Sequence, residues 1–177
     1  NNIMLKISKS ISLVGMPGAG KTCIGREIAK LTGLPFIDSD LEIKKSAGRD
    51  IIDIFEDFGE EHFREGETKV IKRILNGKKC VLATGGGSFI NTNTNKIIKQ
   101  KSISVFINVK LDTLWQRIQG KKHRPLLKGE GAKKELEIIF KKRYDIYNEA
   151  DLNIDYNDTS SPIAMAKLII RKLKKYE

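Results

Sequence analysis

Eight residues, Gly15-Met-Pro-Gly-Ala-Gly-Lys-Thr22, constrain this chain more than any other stretch. They follow the apolar run Ile11-Ser-Leu-Val14 and lead straight into Thr22-Cys-Ile-Gly-Arg-Glu-Ile-Ala29, whose apolar spacing is helical. Three glycines and a proline within six residues cannot continue a strand. A strand, a glycine-rich turn and then Lys-Thr at a helix start form the setting of a phosphate-binding loop. Glycines let successive backbone N–H groups converge on phosphate oxygens, and the helix N-terminus adds positive potential. Gly15, Gly18, Ala19, Gly20, Lys21 and Thr22 are therefore expected to hold a nucleoside triphosphate. Lys21 would reach its β- and γ-phosphates, and the Thr22 hydroxyl would ligate Mg²⁺.

The rest of the chain alternates short apolar runs with longer helical patterns. Ile11–Val14, Phe36–Ile37, Val81–Ala83, Ile103–Ile107 and Leu152–Ile154 read as strands. Helices are expected near Thr22–Leu31, Asp40–Ser46, Glu60–Leu75, Thr94–Gln100, Asp112–Gln119, Ala132–Asn148 and Pro162–Lys174. This alternation predicts an α/β fold, a mostly parallel sheet covered on both faces. Right-handed crossovers then bring every strand's C-terminal end, and with it the ligands, to one edge. No linker, repeat or low-complexity block interrupts 177 residues, so one domain is expected over 1–177.

Composition removes several function classes. No apolar stretch approaches the roughly 20 residues of a membrane helix. The first ten residues lack the apolar core of a secretion signal, and a cytoplasmic location is expected. Cys23 and Cys80 lack metal-ligand spacing and read as buried free thiols in a reducing compartment. A net charge of +11 raises nucleic acid as a partner. The lysines are spread over many helices, with neither an aromatic-studded basic sheet nor a recognition helix. Solvated faces and an anionic small substrate account for the excess, and neither nucleic acid nor membrane is expected as a partner.

Residues just after each strand bear on chemistry first. Asp38-Ser-Asp40 follows the second strand; one carboxylate would turn toward Mg²⁺ and the other toward a hydroxyl, with Asp40 equally suited to cap a helix. Gly85-Gly-Gly87 follows the third and implies a close approach of backbone to something, against the alternative of a flexible turn. Arg64 and Glu67 stand three apart on a charged helix, so the glutamate would hold the guanidinium or the two would form an ordinary surface pair. His62 reads as a surface residue. Residues 120–131, basic and bracketed by glycines, would close over phosphates as a lid with Arg124 supplying charge; a solvated basic loop is the alternative.

Taken in order, these residues resemble the shikimate kinases of the P-loop, nucleoside-monophosphate-kinase-like class. The likeness runs from about Ile11 to Asp155. It comprises Gly15–Thr22, Asp38-Ser-Asp40, Phe55, Phe63-Arg64 with Glu67, Gly85–Gly87, Leu111-Asp-Thr-Leu with Arg117, Arg124-Pro-Leu-Leu127, and Arg143 with Tyr147. The resemblance implies transfer of the ATP γ-phosphate to the 3-hydroxyl of shikimate, a step of chorismate and aromatic amino-acid biosynthesis. It implies a three-layer α/β/α sandwich with a five-stranded parallel sheet in the order 2-3-1-4-5, a lid near 119–131 and a substrate-binding region near 38–67. It further implies that Arg64 and Arg143 hold the shikimate carboxylate, and that Gly85, Gly86 and Gly87 contact the substrate. Asp40 would bind the ring hydroxyls as general base, Lys21 and Arg124 would act on the phosphates, and Thr22 and Asp38 would serve Mg²⁺. Arg117 would flank the adenine of ATP, Glu67 would support Arg64, and Phe55 and Phe63 would form apolar walls. A monomer is expected. A gluconate or other small-metabolite kinase and a non-catalytic regulatory relative are the alternatives.

Overall fold

The computed structural model describes residues 2–119, 131–157 and 159–177. Its five-stranded sheet has the order β2-β3-β1-β4-β5, with β1 Ser10–Val14, β2 Phe36–Asp38, β3 Val81–Ala83, β4 Ser102–Val109 and β5 Leu152–Tyr156. Every pairing is parallel: Ile11 stands opposite Val81 and Ile103, and Ile37 opposite Leu82. All five residues of β1 are buried, as befits a central strand covered on both faces.

Helices connect and cover the strands: α1 Lys21–Thr32, α2 Ser39–Ala47, α3 Ile51–Asn76, α4 Thr92–Lys101, α5 Leu111–Gln119, α6 Ala132–Tyr147 and α7 Pro162–Leu173. A short 3₁₀ turn, Lys174–Tyr176, follows α7. In α1, Ile24 and Ile28 stand at i and i+4 and turn inward without solvent exposure. The core they join runs through Ile11, Leu13, Val81, Leu82, Val105 and Ile107 to Ile169 and Leu173. No helix among the described residues is long and apolar enough to cross a membrane.

Two sequence expectations change here. Residues 51–58 are helical, where only the stretch from Glu60 onward reads as a helix by pattern. Ile51, Ile54, Phe55 and Phe58 already have helical spacing, but Gly59 interrupts it with φ 85° and ψ 171°. That conformation is open to glycine at little cost and kinks α3 between its halves. Cys23 is exposed, because it lies on the solvent side of α1 while Ile24 faces the core. Cys80 is buried as expected, and burial pushes its thiol pKa up.

Candidate active site

The strand order dictates which loops meet. Leu13 and Asp38 both pair with Ala83, so the ends of β1, β2 and β3 lie side by side. The phosphate loop, Asp38 and the glycine loop therefore emerge at one edge of the sheet. Thr84 ties them further, its hydroxyl donating to the Leu13 carbonyl at 2.8 Å.

In the phosphate loop Gly15, Gly18 and Gly20 have φ of 146°, 85° and 91°. These conformations wrap the chain so that the Ala19 N–H bonds back to the Met16 carbonyl at 3.1 Å. Lys21 is buried, and its ammonium donates to the carbonyls of Gly15 and of Met16. Arg117, from α5, donates to the Gly18 carbonyl at 3.0 Å and lies over the Tyr156 ring, 5.0 Å from its centroid. The guanidinium expected to flank adenine thus borders the phosphate loop itself, with an aromatic face beneath it.

Asp38, not Asp40, caps α2. Its Oδ1 accepts the N–H groups of Asp40 at 2.9 Å and Leu41 at 3.3 Å. Its Oδ2 faces the Thr22 hydroxyl at 3.5 Å. One carboxylate thereby satisfies the helix start and presents an oxygen beside Thr22. Two hard oxygens from the protein suit Mg²⁺, which keeps several waters and takes its remaining ligands from phosphate. Capping by Asp38 leaves the Asp40 carboxylate, in the first turn of α2, to point at the glycine loop.

Asp40 has its pKa raised to about 6. Burial is the largest cause, followed by the negative charges of Asp38 and Glu67; Lys21 and Arg64 pull the other way. A carboxylate with a pKa there has the proton affinity that suits a base at neutral pH.

Each glycine of the loop accommodates a different neighbour. A Cβ on Gly85 would stand 2.7 Å from Asp40 Oδ1. On Gly86 it would stand 2.5 Å from Pro17 Cγ, and on Gly87 2.8 Å from the guanidinium carbon of Arg64. None of the three has positive φ. Close approach, rather than conformational freedom, is what requires glycine here. The flexible-turn alternative does not describe this loop.

Arg64 is likewise built in. Glu67, 1% exposed, accepts from its Nη1 at 2.8 Å and from the buried Ser88 hydroxyl at 2.8 Å. The pair is therefore an internal clamp and not a surface ion pair. Phe55 and Phe63 pack against each other nearby, with centroids 4.5 Å apart and planes tilted by 33°. Arg64, Gly87 and Arg143 line one cleft of about 660 Å³. Arg143, on α6, donates to the Gly86 carbonyl at 3.2 Å. Tyr147, one turn on, donates its hydroxyl to the same carbonyl.

The structure thus brings Lys21, Thr22, Asp38, Asp40, Arg64, Gly85, Gly86, Gly87, Arg117 and Arg143 to one sheet edge. Arg124, with the segment 120–130, lies outside the described residues. His62 is exposed, as expected. Sequence reasoning missed Ser88 and the polar role of Tyr147, which it names only beside Arg143 in the family resemblance. The latter was signalled, since Tyr147 stands four residues after Arg143 on the same helix face.

The chain is similar in sequence and in fold to known proteins. A sequence model described as shikimate kinase matches residues 17–174. The shikimate kinase of Paramagnetospirillum magneticum is 46% identical over 153 residues, covering 86% of this chain and 78% of its own. The solved shikimate kinase from Acinetobacter baumannii in complex with shikimate superimposes with a TM-score of 0.89 at 36% identity, over 96% of this chain and 94% of that one. A gluconokinase from Sinorhizobium meliloti 1021 covers 97% of this chain at 17% identity and a TM-score of 0.62, a likeness of fold alone.

Proposed function

The chain belongs to the shikimate kinase family, and on that premise we propose how its residues carry the γ-phosphate of ATP to the 3-hydroxyl of shikimate. This is a step toward the aromatic amino acids. The observation that carries the assignment of roles is that Asp40, Arg64 and Arg143, from three different helices, abut one loop at Gly85, Gly87 and Gly86.

Arg64 and Arg143 take the shikimate carboxylate. A guanidinium offers paired donors in a fixed plane, so two of them set the orientation of the ring as well as its affinity. Asp40 then lies beside the ring hydroxyls, orients the nucleophile and accepts its proton. At pH 7 and above a group with a pKa of about 6 is mostly carboxylate, and so competent as a base. Lys21 leaves the carbonyls of Gly15 and Met16 for the β- and γ-phosphates, exchanging neutral acceptors for charged ones. Thr22 and Asp38 hold Mg²⁺, which when bound supplies charge neutralisation to the phosphates. Arg117 borders the nucleotide base over Tyr156, and Arg124 adds charge at the transferring group. Such positioning and electrostatic stabilisation account for most of the catalysis of phosphoryl transfer.

The proposal further takes the protein as a monomer with a core of about 11–110 and 132–177, a substrate-binding region of about 38–67 and a lid of about 119–131. A cytoplasmic location, where ATP is at hand, goes with this reading. The test is coupled ADP release with purified protein, ATP and Mg²⁺, comparing shikimate, gluconate and no acceptor. Release dependent on shikimate is expected. Activity with gluconate alone would overturn the substrate, and binding of ATP without any acceptor-dependent turnover would favour a regulatory role.

A further inference from the structure

Gly86 is where three parts of the site converge. On one side it abuts Pro17 of the phosphate loop, with room for no Cβ. On the other its carbonyl accepts from Tyr147 and Arg143, both on α6. Tyr147 is only 1% exposed, and its ring lies on Phe106 of β4 with centroids 5.1 Å apart and planes 22° from parallel. Burial pushes the tyrosine pKa up, so the hydroxyl remains a donor across the working range. The neighbours of Gly86 in sequence are the glycines that abut Asp40 and Arg64.

We propose that Tyr147 is a positioning residue for shikimate, holding the Gly86 carbonyl so that Arg143 can turn to the substrate carboxylate without releasing the glycine loop. The proposal rests on the reading that Arg143 binds that carboxylate. A carbonyl oxygen has two lone pairs and accepts both donors at once. A carboxylate is a stronger acceptor than a carbonyl and draws the guanidinium away. The carbonyl then keeps one partner, and the backbone that sets Gly85 against Asp40 and Gly87 against Arg64 stays in place. Tyrosine suits the task because its stacked ring has little freedom to lose, whereas Arg143 has to move.

The test is steady-state kinetics of Tyr147→Phe, which keeps the ring on Phe106 and removes only the hydroxyl. KM for shikimate is expected to rise about five- to twentyfold, the effect of one lost hydrogen bond at a partly desolvated acceptor, with KM for ATP within about twofold. Tyr147→Leu should give the same shikimate shift with a lower melting temperature. An unchanged shikimate KM in Tyr147→Phe, or a shift appearing only when the ring is lost, overturns the proposal. So does a parallel rise in both KM values. Arg143→Ala separates the two layers of argument. If it raises the shikimate KM while Tyr147→Phe does not, only the role of Tyr147 falls; if it too leaves that KM unchanged, the carboxylate reading falls with it.

Discussion

Glu67 grips the guanidinium of Arg64 at 2.8 Å from a position only 1% exposed. An arginine meant to meet a substrate carboxylate thus has a carboxylate of its own, which keeps the guanidinium plane fixed before substrate arrives. Preorganisation of this kind reduces the entropy lost on binding. Arg143 is held differently, by a neutral carbonyl.

The contrast separates two variants. Both Arg64→Ala and Arg143→Ala should weaken the apparent affinity for shikimate. Arg64→Ala also strands the buried Glu67 and should cost about 2–3 kcal/mol of folding stability. Arg143→Ala should cost about 1 kcal/mol or less. Denaturant titrations alongside shikimate KM values check this, and equal stability losses would contradict the assignment of Glu67 to Arg64.

Asp40→Asn should lower kcat roughly 10²–10⁴-fold, as loss of a general base does. The same substitution should stabilise the fold at neutral pH. The native pKa of about 6 exceeds the ordinary 3.8, so the folded protein binds the Asp40 proton more tightly than the unfolded chain does. Stability from this group is therefore fully present below about pH 3.8 and is lost as pH rises through about 6. Neutralising the group recovers on the order of 2–3 kcal/mol. Thermal melts at pH 7.5 read the gain, and a less stable variant would show that the carboxylate is not under strain. In the parent enzyme, kcat/KM for shikimate should fall below about pH 6 as the base of the free enzyme is protonated; a limb near pH 4 would point to a different group.

Gly85→Ala and Gly87→Ala should injure different constants. The first places a methyl group 2.7 Å from Asp40 Oδ1 and should act mainly on kcat. The second crowds the Arg64 guanidinium and should act mainly on the shikimate KM. Identical kinetic profiles would mean that the loop fails as a unit.

Asp38→Asn tests the divided carboxylate. Asparagine caps a helix about as well as aspartate, so stability should hold within about 0.5 kcal/mol. The charge beside Thr22 is lost, and the Mg²⁺ concentration for half-maximal activity should rise several-fold. Asp38→Ala should add about 1 kcal/mol of destabilisation from the uncapped helix. An unaltered Mg²⁺ requirement in both variants would remove Asp38 from the metal site.

What the amino-acid sequence determined on its own was everything carried by neighbours along the chain. The phosphate loop is legible because its glycines, lysine and threonine act through their own backbone and the helix they begin. The parallel sheet follows from strand and helix alternation, and Arg64 with Glu67 from a spacing of three on one helix. Tertiary structure decided which groups meet across long separations. That Gly85 faces Asp40, Gly86 faces Pro17 and Gly87 faces Arg64 depends on β3 lying between β1 and β2. A triple glycine announces a close approach but carries no side chain to say what approaches. The choice of Asp38 over Asp40 as cap turned on where α2 begins, a matter of two residues that pattern leaves open. Helical spacing sets Tyr147 one turn after Arg143, but its surroundings in sequence name no partner for its hydroxyl. Its hydroxyl finds a carbonyl 61 residues away, and only the folded chain brings the two together.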